Sequence, residues 1–169
     1  MRLSLAALAL AFAATATQAF MLPELTNPLQ NDPPETGPIK ICGNNETDTL
    51  EILYIKISPD PPKRGEVLSI DAKGILKERV DKGSYIKLIV KSGVIKIIQK
   101  TLDFCDESAN INKPCPLEKG EQELKHEVTL PKEIPFAVFT AHVEVFDQAN
   151  NTVTCLEARV DFRPRIPHF

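Results

Sequence analysis

Apolar and polar residues alternate along most of the chain after residue 50, a pattern typical of β-strands with one buried face. From Val67 to Val80 the apolar residues Leu68, Ile70, Ala72 and Leu76 recur with a period of two, with polar residues between them. Further strands are predicted for Leu50 to Ser58, Tyr85 to Val90, Val94 to Phe104, Glu121 to Leu130, Ala137 to Val145 and Thr152 to Arg163. About seven strands separated by turn residues, with no convincing helix, predict an all-β protein with an immunoglobulin-like antiparallel β-sandwich.

Two strands carry a further prediction about which side chains face inward. In the first strand, Leu53, Ile55 and Ile57 are predicted to share the buried face. In the fourth strand, the doublets Val94-Ile95 and Ile97-Ile98 interrupt the alternation. Such doublets indicate a bulge, or a strand with apolar neighbours on both faces.

Residues 1–19 have the composition of a secretory signal peptide. Arg2 precedes an apolar run from Leu3 to Ala14, and small residues lead to a cleavage site after Ala19, with Ala16 as the second choice. The run is shorter than the roughly 20 apolar residues that a membrane span needs. The alternative is an amphipathic helix that the mature protein retains.

Residues 20–38 are rich in proline, which removes backbone donors and disfavours helix in the preceding residue. This segment is predicted to be a disordered arm or a pro-peptide. One β-sandwich domain is predicted at residues 39–163, followed by a tail at residues 164–169. The domain is long enough for a single hydrophobic core.

All four cysteines, Cys42, Cys105, Cys115 and Cys155, lie within the predicted domain. An even number of cysteines in a secreted chain implies two disulfides, for which three pairings exist. A bond between Cys105 and Cys115 is local and sterically easy, which leaves Cys42 to pair with Cys155. A metal site is the rival interpretation, but no CxxC pair occurs, so we expect none.

Two Asn-X-Thr sequons, at Asn45 and Asn150, lie in polar segments between the predicted strands. Both are expected sites of N-glycosylation, and the alternative is that one or both stay unmodified. Together with the signal peptide, they predict entry into the secretory pathway. The destination is either the outside of the cell or a vacuolar or lysosomal lumen.

The sequence lacks the patterns of nucleic-acid binding and of catalysis. The formal net charge is −3 and no basic block occurs, so there is no electrostatic case for nucleic acid. Motifs of serine hydrolases, zinc proteases and nucleotide-binding enzymes are missing from the sequence, and His126, His142 and His168 lie far apart along it. We therefore expect a protein that is not an enzyme and that needs no cofactor.

Several short motifs resemble those of one known family. They are Cys42-Gly43, Ile57-Ser58-Pro59, Cys105 with Cys115 to Gly120, Leu130-Pro131 and the late Cys155. In their order and spacing the chain resembles the ML (lipid-recognition) family, which includes the Niemann-Pick type C sterol carrier and the mite group 2 allergens. Within that family it is most similar to the fungal carriers of phosphatidylglycerol and phosphatidylinositol. Animal members usually have a third disulfide that begins where this chain has Asp60, so their sterol preference does not carry over directly.

The resemblance implies an apolar cavity between two sheets that holds lipid acyl chains, without a cofactor. The candidate wall residues are the inward-facing side chains of the later strands, with ordinary core packing as the alternative for each: Ile97, Phe104, Val128, Leu130, Phe139, Val143, Val160 and Phe162. The mouth is predicted at Pro131 to Phe136. There Ile134 and Phe136 would touch a membrane surface transiently, and Lys132 would meet an anionic phosphate.

The leading hypothesis is a monomeric carrier that transfers phospholipids between membranes. The first alternative is a sterol-binding or sterol-transfer protein of the same fold. The second is a module that senses lipid and binds a protein partner, and the third is a structural domain with a collapsed core. Phospholipid movement between vesicles separates the first hypothesis from the others.

Overall fold

The computed structural model describes residues 36–164. The predicted signal peptide, nearly all of the predicted arm and residues 165–169 lie outside the described residues. Within them the elements are β1 (Ile39–Ile41), β2 (Leu50–Ser58), β3 (Val67–Leu76), β4 (Tyr85–Ser92), β5 (Ile95–Asp103), α1 (Phe104–Asn110), β6 (Gly120–Thr129), β7 (Val138–Phe146) and β8 (Thr152–Asp161).

The strands form two antiparallel sheets. One sheet has the order β1-β8-β7-β4-β5 and the other has the order β2-β3-β6. The predicted β-sandwich is therefore confirmed, with eight strands in place of about seven. The alternation does not predict β1, because three residues are too few for a period of two to show.

A short helix, α1, contradicts the prediction that the domain has no helix. The carboxylate of Asp103 caps it by accepting hydrogen bonds from the backbone N–H groups of Cys105 at 2.8 Å and Asp106 at 3.0 Å. Acidic residues in the first turn also suit the positive end of a helix. The helix begins at the last residue of the predicted strand Val94 to Phe104 and continues into the segment before the next predicted strand. It escapes detection because two turns are too short for the helical period to show.

Register shifts typical of β-bulges occur in β2, β5 and β8. The register between β2 and β3 shifts between Ile52 and Tyr54, so Leu53 is an extra residue. Leu53 is 38% exposed while Ile52 and Ile55 are buried, and the prediction that Leu53 faces inward is therefore wrong. In β5, Ile97 is the extra residue opposite β4, which agrees with the bulge that the doublets indicate.

Both predicted disulfides are present. Cys42, just after β1, is bonded to Cys155 in β8. Cys105 in α1 is bonded to Cys115, and this bond closes the segment that follows the helix. The first bond joins the two ends of the domain in sequence, and the second holds α1 against the chain that leads into β6.

The buried core lies at one end of the sandwich, which we call the core end. Leu76, Val80, Val145 and Val153 form the core cluster, and backbone hydrogen bonds between Val80 and Leu117 close it at 2.9 and 3.0 Å. The opposite end, where the β2–β3, β4–β5 and β6–β7 connections meet, is called the open end. Inward-facing residues near it are only half-buried, so the sheets cover each other less completely there.

In the part of the chain that the structure describes, no helix has the length and apolar character needed to cross a bilayer.

Candidate functional site

A cavity of about 390 Å³ lies between the two sheets, beside the core cluster. This volume falls within the range of roughly 300–1,000 Å³ that is usual for small-molecule sites. The three-stranded sheet contributes the apolar side chains of Leu50, Ile52, Ile55, Ala72, Leu76 and Leu124. The other sheet and the region of α1 contribute those of Ile86, Phe104, Ile111, Leu117, Val145, Val153 and Leu156.

The period of the strands explains why these residues converge. Side chains directly opposite each other in neighbouring strands point to the same face of a sheet. Ala72 pairs with Ile55 on one side and with Leu124 on the other, so the three form one row across the sheet. A row with a small residue in the middle leaves space that longer side chains would fill, and this space is part of the cavity.

Helix α1 closes the cavity at the core end. The backbone N–H of Phe104 donates to the carbonyl of Ser84 at 3.1 Å, which places the Phe104 ring on the wall. The buried hydroxyl of Ser108 donates to the carbonyl of Cys105 at 3.1 Å. The disulfide from Cys105 therefore positions both the helix and the cavity wall.

The charged side chains that line the cavity lie on β3, on β6 and near α1. Lys73 is 2.8 Å from the Glu121 carboxylate and 3.5 Å from that of Glu123. The hydrogen bond to Glu121 is the main cause that raises the pKa of Lys73. Lys113 also lines the rim and has no ion pair within residues 36–164. An apolar interior with a charged rim suits an amphipathic ligand whose polar end stays near water.

Of the ten predicted lipid-binding residues, Phe104 lies on the wall of this cavity. Val143 packs against the core cluster beside it. Phe139, Val160 and Val128 lie on the inward side of their strands but nearer the open end, as their register shows. They face the space between the sheets without reaching the cavity.

The other five predicted residues lie at or near the open end. Phe162 contacts the ring of Phe139 edge-on, with centroids 6.0 Å apart. Leu130 and Ile134 are half-buried in the β6–β7 connection. Phe136 in that connection is 63% exposed and Ile97 on β5 is 52% exposed. The structure does not bring the ten residues together into one site.

The prediction omits β2 and β3, which contribute Leu50, Ile52, Ile55, Ala72 and Leu76 to the wall. The signal for Ala72 and Leu76 is present in the alternation of β3, since it marks them as inward-facing. The signal for Leu117 and Ile111 is not present, because both lie in the irregular segment after α1. The sequence signal for Ile52 is lost because the bulge at Leu53 interrupts the alternation of β2.

One group of potential metal ligands occurs among the described residues. The Sγ atoms of Cys42 and Cys155 and a ring nitrogen of His142 lie within 4.8 Å of one another. Both sulfurs belong to the same disulfide and are therefore not available as thiolate ligands.

Three comparisons with known proteins agree with this architecture. The ML domain family matches residues 37–162. The phosphatidylglycerol/phosphatidylinositol transfer protein of Aspergillus fumigatus is 38% identical over 141 residues, covering 83% of this chain and 78% of that protein. The protein of the same description from Neurospora crassa is 35% identical over 168 residues, covering 96% and 94%.

The crystal structure of a Niemann-Pick type C2 protein from the Japanese carpenter ant superposes with a TM-score of 0.52. It is 18% identical, and the alignment covers 74% of this chain and 98% of that one. This likeness shows that the two chains share a fold.

Proposed function

The chain belongs to the ML domain family, and from this premise we propose that it binds phospholipids and carries them between membranes as a monomer. Phosphatidylglycerol and phosphatidylinositol are the proposed cargo, because they are the lipids in the names of the fungal relatives. The observation that carries the proposal is the apolar cavity of about 390 Å³ between the sheets. The proposal assigns binding and transfer to the protein and no covalent chemistry.

The main barrier to lipid transfer is the free energy of exposing an acyl chain to water, and the cavity would reduce this cost. Each CH₂ group moved from water to an apolar site gains about 0.8 kcal/mol. An acyl chain of about 16 carbons therefore resists leaving a membrane by on the order of 10 kcal/mol. A wall built from Ile55, Ala72 and Leu124 offers the chain an apolar environment instead.

Membrane contact is proposed at the tip of the β4–β5 hairpin. Val94 is 97% exposed and Ile95 is 67% exposed, although both are strongly apolar. Lys91 and Lys96 lie beside them, are exposed, and form no ion pair within the described residues. Apolar side chains flanked by exposed lysines suit the surface of a bilayer that contains anionic lipid.

This hairpin is a second contact beside the predicted one at Pro131 to Phe136. In that connection Phe136 is exposed but lies against Arg64. The hairpin tip and the start of β7 lie at the same end of the sandwich. Lys91, near the tip, is opposite Thr140 in β7, and Val138 at the start of β7 is opposite Asp161 in β8. Both contacts therefore face the same direction, at the open end.

Two disulfides support a site of action in an oxidising compartment, since cytosolic reductants keep most thiols reduced. We place the protein in the secretory pathway, with secretion or delivery to a vacuolar or lysosomal lumen as its end point. N-glycosylation at Asn45 and Asn150 is part of this proposal.

The test is the transfer of labelled phosphatidylglycerol, phosphatidylinositol, phosphatidylcholine and sterol between vesicles. The Ala72→Phe substitution places a ring inside the cavity, and Ser69→Phe places the same ring on the opposite face of β3. The added ring takes the space of at least two CH₂ groups, so transfer should slow about tenfold or more in Ala72→Phe and stay near the wild-type rate in Ser69→Phe. Circular dichroism checks that both variants fold, and Ile86→Phe repeats the test from the facing sheet.

Two results would overturn the proposal. Movement of sterol without phospholipid would make the protein a sterol carrier, and movement of no lipid would remove the carrier function. Equal loss of transfer in Ala72→Phe and Ser69→Phe would show that the cavity is not where the lipid binds.

A further inference from the structure

A second recess, of about 630 Å³, lies at the open end, away from the cavity between the sheets. The β2–β3 connection provides Arg64 and Lys63, the β6–β7 connection provides Lys132 and Phe136, and the end of β8 provides residues 161–163. Three separate parts of the sequence therefore converge on it.

The charges that line this recess do not balance. Its two acidic residues are each matched to a cation, since Asp161 holds Arg163 at 2.6 Å and Glu66 lies 3.5 Å from Lys63. The two remaining cations are Arg64 and Lys132, which have no carboxylate partner among residues 36–164. The recess therefore carries a surplus of positive charge.

Arg64 is held in place at this recess. Its guanidinium carbon lies 3.9 Å from the centroid of the Phe136 ring, and its terminal NH₂ group donates to the carbonyl of Lys132. Its Nε–H is buried and has no acceptor in the described part of the chain. A buried donor without an acceptor is costly unless a ligand or solvent oxygen satisfies it.

Lys132 is positioned by the close approach of the two connections. The backbone N–H of Gly65 donates to the carbonyl of Leu130 at 2.9 Å, and the N–H of Leu130 donates to the carbonyl of Glu66 at 3.0 Å. A Cβ atom at Gly65 would come within 2.5 Å of Lys132 Cγ, so the stem of the lysine packs directly over this glycine. Gly65 also has a positive φ of 73°, which suits glycine.

We propose that Arg64 and Lys132 form a phosphate site that binds the phosphodiester of an anionic lipid head group while the lipid is still in the membrane. A guanidinium has five N–H donors, of which one is used on the Lys132 carbonyl, and together with a nearby ammonium it has the chemistry that recognises phosphate. The recess shares the open end with the exposed hairpin residues Val94 and Ile95, so a bilayer that contacts the hairpin also approaches the recess. This inference rests on the proposed function in taking phospholipid as the ligand, and it places a second phospholipid contact outside the cavity.

The experiment compares Arg64→Gln/Lys132→Gln with the control Lys82→Gln/Lys119→Gln. The control removes the same charge from two exposed lysines at the core end, outside the lining of either cavity. Each protein is tested for co-sedimentation with vesicles of phosphatidylcholine alone and with vesicles that also contain phosphatidylinositol. Amide NMR shifts during titration with glycerophosphoinositol or inorganic phosphate report binding in solution.

We expect the Arg64→Gln/Lys132→Gln variant to lose the preference for phosphatidylinositol vesicles, with binding about tenfold or more weaker. The control variant should keep this preference. Glycerophosphoinositol should shift the amides of residues 63–66, 132 and 133 in the wild type and in the control but not in the Arg64→Gln/Lys132→Gln variant.

Equal binding by the two variants, or equal loss in both, would overturn the site, because the attraction would then follow net charge alone. Amide shifts with inorganic phosphate but no vesicle preference would overturn the lipid as its ligand and leave a site for free phosphate. Vesicle transfer by the wild type is recorded in the same samples. If transfer is missing while the vesicle preference is present, the carrier function fails and the phosphate site stands.

Discussion

The guanidinium of Arg64 covers the ring of Phe136, with 3.9 Å between the guanidinium carbon and the ring centroid. This contact joins the β2–β3 connection to the β6–β7 connection. It also explains why an apolar side chain that is 63% exposed is tolerated in a connection, since the ring face attracts the cation. The aromatic ring orients Arg64 toward the recess beside it.

Replacing Phe136 by leucine should therefore weaken binding to phosphatidylinositol vesicles several-fold while changing stability by less than about 1 kcal/mol. Leucine retains apolar volume but lacks the ring face that holds Arg64. Phe136→Tyr retains the face and should behave like the wild type. Vesicle co-sedimentation and urea unfolding measure the two quantities, and a Phe136→Leu variant that binds normally would show that the ring does not orient Arg64.

The apolar residues at the tip of the β4–β5 hairpin, Val94 and Ile95, should contribute to vesicle binding independently of the charge of the vesicle. In Val94→Ser/Ile95→Ser, binding to anionic and to neutral vesicles should weaken by a similar factor of about ten or more, because less apolar surface leaves water. Leu53→Ser removes an exposed apolar side chain from the other sheet and serves as the control. Unchanged binding in the hairpin variant, or an equal loss in Leu53→Ser, would contradict this role.

The sequence pattern predicts the sheets well because it depends on one physical quantity, the alternate burial of side chains. The strands predicted from it overlap β2 to β8 almost completely, and β2 agrees at both ends with Leu50–Ser58. The disulfides could be predicted because one pair is close in sequence, which leaves a single partner for Cys42. Strand positions and disulfide pairing can be predicted without knowing how the two sheets are placed relative to each other.

The cavity could be predicted only in part, because its position depends on the separation of the sheets. Phe139 and Val160 pair with each other and face inward, as the alternation predicts. They lie toward the open end, however, and the enclosed space is next to Ala72 near the core cluster. The recess at Arg64 has no periodic signal at all, since its residues come from two connections and the end of β8.

The two disulfides should differ in what they stabilise. Cys42 and Cys155 are 113 residues apart, so their bond should contribute about 5 kcal/mol in the chain-entropy model, against somewhat under 3 kcal/mol for the ten-residue separation of Cys105 and Cys115. Replacing each pair by alanine and measuring urea unfolding tests this order. Lipid binding should show the reverse order, since the shorter bond holds α1 and the cavity wall. If both variants lose the same amount of binding, α1 does not support the cavity.

Replacing each of two buried aspartates, Asp48 and Asp147, by asparagine should change the free energy of unfolding in opposite directions. Burial raises the pKa of Asp48 above its usual 3.8. A backbone hydrogen bond from Asn44 and the positive charge of Lys77 act in the opposite direction but do not outweigh burial. The Oδ2 atom of Asp48 has no hydrogen-bond partner in the described structure. At Asp147 burial also acts to raise the pKa, but hydrogen bonds from Asn151 and Ala149 outweigh it and leave the pKa below 3.8.

Asp48→Asn should therefore increase stability at neutral pH, and this gain should disappear as the pH falls through the raised pKa toward 3.8. Asp147→Asn should decrease stability at neutral pH by about 1–2 kcal/mol, because the new amide would face the Asn151 amide. That deficit should persist down to pH 3.8 and shrink below it, as the wild-type carboxylate becomes protonated. Urea unfolding between neutral and acidic pH measures both stability changes. If the two substitutions changed stability in the same direction at neutral pH, the pKa directions given for Asp48 and Asp147 would be contradicted.

Because of the bulge in β2, alanine substitutions at the adjacent residues Ile52 and Leu53 should differ in their effect on the free energy of unfolding. Ile52 is 5% exposed and lines the cavity, whereas Leu53 is the extra residue and points outward. Ile52→Ala should reduce the free energy of unfolding by about 2–4 kcal/mol, because it removes buried apolar volume. Leu53→Ala should cost less than about 1 kcal/mol, because its side chain is already partly in water. A regular strand that buries Leu53 would reverse this order, so urea unfolding of the two variants decides between the bulge and the plain alternation.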